Sequence, residues 1–83
     1  MNIDVKVLTE IINSWDPVGL LAGGAPEDEY SIEIREIVAG GTFYTRETDL
    51  ARLIYTVFND KMGVKLNLLA CLNQAFKLTE QMK

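Results

Sequence analysis

A chain of 83 residues has room for one domain, because two packed cores at ordinary domain sizes need more chain. A hydrophobic share of 48%, a charged share of 24%, and only six Gly and two Pro exclude collagen-like, low-complexity and highly charged disordered classes. The net charge is −4 with no histidine, and a single cysteine can neither close an internal disulfide nor by itself hold a structural zinc.

The first element runs from Ile3 to Trp15. Ile3, Val7, Leu8, Ile11, Ile12 and Trp15 draw one helical stripe, with Asp4, Lys6, Glu10 and Asn13 away from it. Asn2 is the expected cap and Asp4 a first-turn carboxylate at the positive end of the dipole. Residues 3–7 also alternate, so a short strand is the rival reading. Asp16 before Pro17 leaves the α region and stops the helix. Asp16-Pro17-Val18-Gly19 carries the residues of a type I turn, and the connection that follows to Gly23-Gly24-Ala25-Pro26 is long. Its Leu20, Leu21 and Ala22 predict a packed loop rather than a free linker.

A second helix is predicted from Pro26, which suits a first helical position, with Glu27, Asp28 and Glu29 in its first turn. Tyr30, Ile34, Ile37 and Val38 are its predicted buried stripe, Ile32 pointing elsewhere, and Gly40-Gly41 a left-handed C-terminal stop. After the connector Thr42-Phe43-Tyr44, Thr45 is the expected cap of a third helix. Leu50, Leu53, Ile54, Val57 and Phe58 follow the i, i+3, i+4, i+7, i+8 pattern, closed by Lys61 and Gly63. Asn67 is the predicted cap of a fourth helix with Leu68, Leu69, Leu72, Ala75, Phe76 and Thr79 on one side. The predicted fold is all-α: a small four-helix bundle, residues 1–83 in one domain, with a long packed loop between helices 1 and 2.

Charge is unevenly placed. Residues 1–44 hold eight acids and two bases, net −6, whereas residues 45–83 hold four acids and six bases, net +2. Nucleic acid is therefore not an expected partner, since phosphate backbones need clustered Lys and Arg. No apolar run reaches the length of a membrane span, and the start lacks a basic, then apolar leader pattern. Together with an unpaired cysteine this makes the cytoplasm the expected location.

Without histidine, Ser-His and Cys-His nucleophile pairs cannot be built. Cys71, on an apolar helix with no base within five residues, is expected to be a buried packing residue rather than a reactive thiolate. Gly19 to Gly24 is glycine-rich, but Ala25-Pro26-Glu27-Asp28 follows where a phosphate loop needs Lys and Ser or Thr. Glu29, Glu33 and Glu36, spaced i, i+4, i+7, are expected on one solvated helix face. Such a row binds Mg²⁺ or Ca²⁺ only if another segment adds oxygens. Glu33-x-x-Glu36 resembles the acidic pair of all-α nucleotide pyrophosphohydrolases, but their second pair, Glu-x-x-Asp, has no counterpart in Glu47 and Asp49. No metal and no cofactor is expected.

Trp15-Asp16-Pro17 and Pro26-Glu27-Asp28-Glu29-Tyr30 form the densest cluster of unusual residues. As structure, Asp16 or Asp28 accepts loop N–H bonds while Trp15 and Tyr30 bury their rings and leave polar tips at the surface. As function, the cluster is an acidic and aromatic contact patch. These residues, with Val18-Gly19-Leu20, Ile34 and Ile37, resemble the YugE-like family of small bacterial proteins, a domain of unknown function. That resemblance implies an all-α cytoplasmic protein, with Trp15, Asp16, Pro17, Asp28, Glu29 and Tyr30 as signature positions of unassigned role. Proteins with such Trp-Asp-Pro and Asp-Glu-Tyr signatures also resemble immunity partners of bacterial toxins.

The function expected is that of a non-catalytic protein-binding module, in particular an immunity-type inhibitor of a basic toxin. Its contact residues are then Asp28, Glu29, Glu33 and Glu36, supported by Trp15 and Tyr30. The alternative is a metal-dependent hydrolase or small-ligand binder using the same carboxylates. Self-association into a homodimer is a third expectation for so small a core.

Overall fold

The computed structural model describes residues 2–42 and 46–82. Four helices follow one another: α1 (Val5–Trp15), α2 (Ser31–Gly41), α3 (Glu47–Met62) and α4 (Leu68–Gln81). Among the described residues there is no strand. α3 packs most extensively on α4 and next on α2, and α1 closes the ring against α4 and α2. Each helix thus lies beside its sequence neighbours, and the backbones of the diagonal pairs stay apart in an all-α four-helix bundle of 33 × 23 × 20 Å.

α1 starts two residues later than its apolar stripe suggests, and its cap is Asp4 rather than Asn2. The Asp4 carboxylate accepts the N–H groups of Lys6 at 2.8 Å and Val7 at 3.2 Å, which satisfies two of the orphan donors of the first turn. Val5 to Val7 are helical, which disposes of the rival strand. Leu8, Ile11 and Ile12 are buried, and Trp15 is half-buried.

α2 begins at Ser31, not at Pro26. Residues 26–31 form turns instead, closed by the Glu29 N–H on the Pro26 carbonyl at 3.1 Å and the Ser31 N–H on the Asp28 carbonyl at 3.0 Å. Glu27, Asp28 and Glu29 therefore stand ahead of the helix. Gly40 and Gly41 do not stop it either, since α2 runs through both to a right-handed Thr42. Their absent side chains serve close packing: a Cβ on Gly41 would overlap Ile3 Cδ1, and one on Gly40 would sit 3.0 Å from Leu53 Cδ1. Ile3 can thus be buried across the C-terminal turn of α2.

α3 keeps its predicted stripe, with Leu50, Ile54, Val57 and Phe58 buried and Leu53 half-buried. It ends as expected on Gly63 in the left-handed region (φ 66°), whose N–H reaches the Asn59 carbonyl at 2.9 Å. The expected cap Thr45 lies outside the described residues. Asn67 does cap α4, accepting from Leu69 N at 2.8 Å and Ala70 N at 3.2 Å.

The buried face of α4 differs from the one its apolar residues predict. Cys71, Gln74, Ala75 and Leu78 enter the core, while Leu68, Leu69 and Phe76 are 47%, 71% and 51% exposed. Leu72 lies between the two sets. α4 has apolar residues on both sides, so periodicity within the helix does not choose between them.

Candidate functional site

At the C-terminus of α1, Asp16 takes a left-handed conformation (φ 49°, ψ 62°), the only non-glycine to do so among the described residues. Pro17 bars it from continuing the helix, and aspartate tolerates this region better than most residues. Its N–H still bonds the Ile12 carbonyl at 2.7 Å, and its own carbonyl closes a four-residue turn by accepting the Gly19 N–H at 3.0 Å. The carboxylate is thereby turned back over the loop. Oδ1 accepts Leu21 N at 3.1 Å and Oδ2 accepts Ala22 N at 2.9 Å.

Tyr30 reaches the same carboxylate from the start of α2. Its hydroxyl donates to Asp16 Oδ1 at 2.5 Å and accepts from Val18 N at 3.3 Å and Leu20 N at 3.4 Å. One donor and two acceptor sites of the phenol are therefore all used. Tyr30 is completely buried, so its tip lies inside the loop and not at the surface as predicted. Asp16, and not Asp28, is the residue that gathers the loop N–H groups. The Tyr30 hydroxyl first, then the N–H groups of Ala22, Leu21 and Leu20, hold the Asp16 carboxyl below its ordinary 3.8, against the opposing effect of desolvation. Burial first, then the Asp16 bond, raises the Tyr30 phenol above its ordinary 10.0. The backbone donors of the glycine-rich stretch are thus engaged within the protein, those of Leu20, Leu21 and Ala22 by the Tyr30 and Asp16 side chains and those of Gly19, Gly23 and Gly24 by backbone carbonyls.

Rings complete this latch. Phe58 of α3, fully buried, meets Trp15 edge-on at 6.2 Å and Tyr30 edge-on at 5.8 Å between centroids. Loop, α1, α2 and α3 are joined at one aromatic cluster, with the geometry that aromatic quadrupoles favour.

The residues predicted to form one contact row are distributed otherwise. Asp28 and Glu29 are exposed on the turn ahead of α2, beside Glu27. Glu36 is exposed and 3.4 Å from Lys61, an ion pair too solvated to contribute much to stability. Glu33 points inward, 5% exposed, with Oε1 bonded to nothing in the protein. The i, i+4, i+7 row is therefore not a single solvated face. Glu29 precedes the helix, and the inward side of α2 is the one shared by Tyr30, Glu33, Ile34 and Ile37. Among the described residues no three carboxylates or thiols come together as metal ligands would.

Sequence reasoning missed a groove beside the acidic turn. Val5, Thr9 and Asn13 of α1 form one wall, and Glu27, Asp28, Ser31, Ile34 and Arg35 the other, around about 320 Å³. Asn13 Nδ2 donates to the Glu27 carbonyl at 3.0 Å, which fixes the amide's orientation and anchors the turn. Asn13 Oδ1 is buried and has no donor in the protein. The i, i+4, i+8 spacing of Val5, Thr9 and Asn13 was visible in the sequence, but the wall opposite depends on where α2 begins.

Cys71 is buried as predicted, and desolvation raises its thiol from 9.0 to about 11. We expect alkylation of the native protein at neutral pH to be slow and to accelerate sharply in denaturant, as timed by mass spectrometry with iodoacetamide. Complete modification of the folded protein within minutes would contradict this packing. None of the four helices is long and apolar enough to cross a membrane. Compared with protein-family models, with curated proteins and with solved structures, the chain matches none.

Proposed function

We propose that this chain is a non-catalytic protein-binding module whose contact surface is the acidic turn Glu27-Asp28-Glu29 and the groove beside it. The observation that carries this reading is three consecutive exposed carboxylates on a turn held by the Asn13 side chain and by two backbone hydrogen bonds. A fixed turn loses little conformational freedom when a partner docks, so more of the contact energy appears as affinity. The charge of the first half adds long-range attraction for a basic surface.

In this reading Asp28 and Glu29 touch the partner, whereas Glu36 lies outside the groove and pairs with Lys61. Trp15 and Tyr30 belong to the buried latch, and Glu33 points inward. The biological form we favour is an immunity-type inhibitor, which occludes the basic cleft of a bacterial toxin.

Affinity capture from a lysate of the producing organism, at low and at high salt, tests the proposal. A specific protein should be retained at low salt, lost at high salt, and lost from the triple variant Glu27→Lys, Asp28→Lys, Glu29→Lys with an unchanged circular dichroism spectrum. Recovery of no specific protein, or retention unaffected by the charge reversal, overturns it.

A further inference from the structure

We propose that the groove between α1 and the start of α2 takes an extended segment of the partner that carries a basic residue and, two positions away, an acidic one. The inference rests on the contact surface proposed above and names the chemistry which that surface reads. The two walls run antiparallel, since Asn13 bonds the Glu27 carbonyl and Ile3 packs on Gly41. The groove therefore has charges of opposite sign at its two ends. Glu27 and Asp28 stand at the Asn13 end, and Arg35 lies about one helical turn beyond Ser31, toward Val5. All three are exposed, and none is ion-paired: among the described residues Lys61 and Glu36 form the one salt bridge within 4.0 Å. Acid and base thus line one groove without meeting each other.

Their spacing follows from the backbone. The Ser31 N–H closes a turn on the Asp28 carbonyl, which keeps those two Cα atoms within about 7 Å, and Arg35 lies about 6 Å further along α2. Between the two charges the walls are apolar at Val5, which is 51% exposed, and at Ile34. The Thr9 hydroxyl is spent on the Val5 carbonyl at 2.7 Å. A purely basic occupant would be repelled by Arg35, and a purely acidic one by Glu27 and Asp28. A Lys-x-Glu segment satisfies both ends. In an extended chain residues two apart project from the same side, about 7 Å from each other. Their methylene stems span the remaining distance while lying along Val5 and Ile34. A volume of about 320 Å³ is at the small end for a ligand site and suits a pair of side chains rather than a folded element.

Titration of the isotope-labelled full chain with capped peptides, followed by NMR amide shifts, is the test. The probes are Ala-Lys-Ala-Glu-Ala and the same peptide with Gln or with Lys in place of Glu. The Glu peptide should move the amides of Thr9, Ser31 and Arg35 in the millimolar range. The Gln peptide should bind about two- to fivefold more weakly, the effect of one solvated ion pair, and the Lys peptide more weakly still. Arg35→Glu alters an exposed side chain and should keep the circular dichroism spectrum. It should reverse the order, so that the Lys peptide binds best, whereas the milder Arg35→Gln should leave the Glu and Gln peptides equal. Absence of shifts at the groove with all three peptides overturns the inference. Equal binding of the Glu and Lys peptides to the wild type, or an order unchanged in Arg35→Glu, overturns it too, even where the acidic turn retains a partner from the lysate.

Discussion

Phe58→Ala is expected to remove about 3–5 kcal/mol of stability, the usual cost of emptying a fully buried aromatic site. For a domain of this length the whole folding free energy is on the order of 4–12 kcal/mol, so the variant should lose a large share of it. The cost is high because Phe58 has Trp15 at one edge and Tyr30 at another, and neither ring can swing into the void. Tyr30 is held by its hydroxyl, and Trp15 sits in the last turn of α1. Urea titration measures the effect as a fall in midpoint at constant slope. Phe76→Ala provides the contrast, because the same chemistry at a half-exposed position should cost under about 1 kcal/mol. If the two variants lose similar stability, the aromatic cluster is not the centre of the fold.

Tyr30→Phe has the second largest expected effect. Removing one oxygen leaves the Val18 and Leu20 N–H groups without their acceptor and Asp16 Oδ1 without its shortest donor. Stranding such groups in a partly buried loop costs about 1–3 kcal/mol. The pH dependence separates this account from a simple packing loss. Asp16 has a lowered pKa in the folded protein, so its contribution is present above 3.8 and is lost as the pH falls below that value. In Tyr30→Phe the main cause of the lowering is gone, and the acid limb of the stability curve should flatten.

At the alkaline end the sign is opposite. Tyr30 and Cys71 have raised pKa values, so their contributions are complete below 10.0 and 9.0 and are lost as the pH rises, for Cys71 toward about 11. The variant should keep the cysteine part of that limb and lose the tyrosine part. Chemical denaturation at a series of pH values reads both limbs. An acid limb as steep in Tyr30→Phe as in the wild type would sink the latch.

The latch also shows how far local sequence reasoning carries. Trp15-Asp16-Pro17 and Tyr30 were identifiable as a linked structural unit, because Pro17 dictates where α1 ends and a displaced aspartate seeks nearby N–H groups. Which aspartate does so, and that the tyrosine tip is internal, depends on a contact across fourteen residues. Glu33 was misplaced too. Glu29 precedes α2, which starts at Ser31, and Glu33, three residues after Tyr30 and four before Ile37, lies on the buried stripe and turns inward with it. The Gly40-Gly41 pair, normally a stop, stays helical because Ile3 and Leu53 occupy the space that side chains there would fill.

By itself the sequence determined four helices, the caps at Asn67 and Gly63, the stripes of α1 and α3, the burial of Cys71 and an acidic first half without histidine. These depend on composition, on 3.6-residue periodicity and on the chemistry of adjacent residues, all of which are local. Only the tertiary structure decided which of two apolar sides of α4 enters the core, which carboxylates remain in water, and that a groove opens between α1 and the turn before α2. Those outcomes turn on what a neighbouring helix presents across the gap, and a chain read one window at a time contains no record of its neighbours in space.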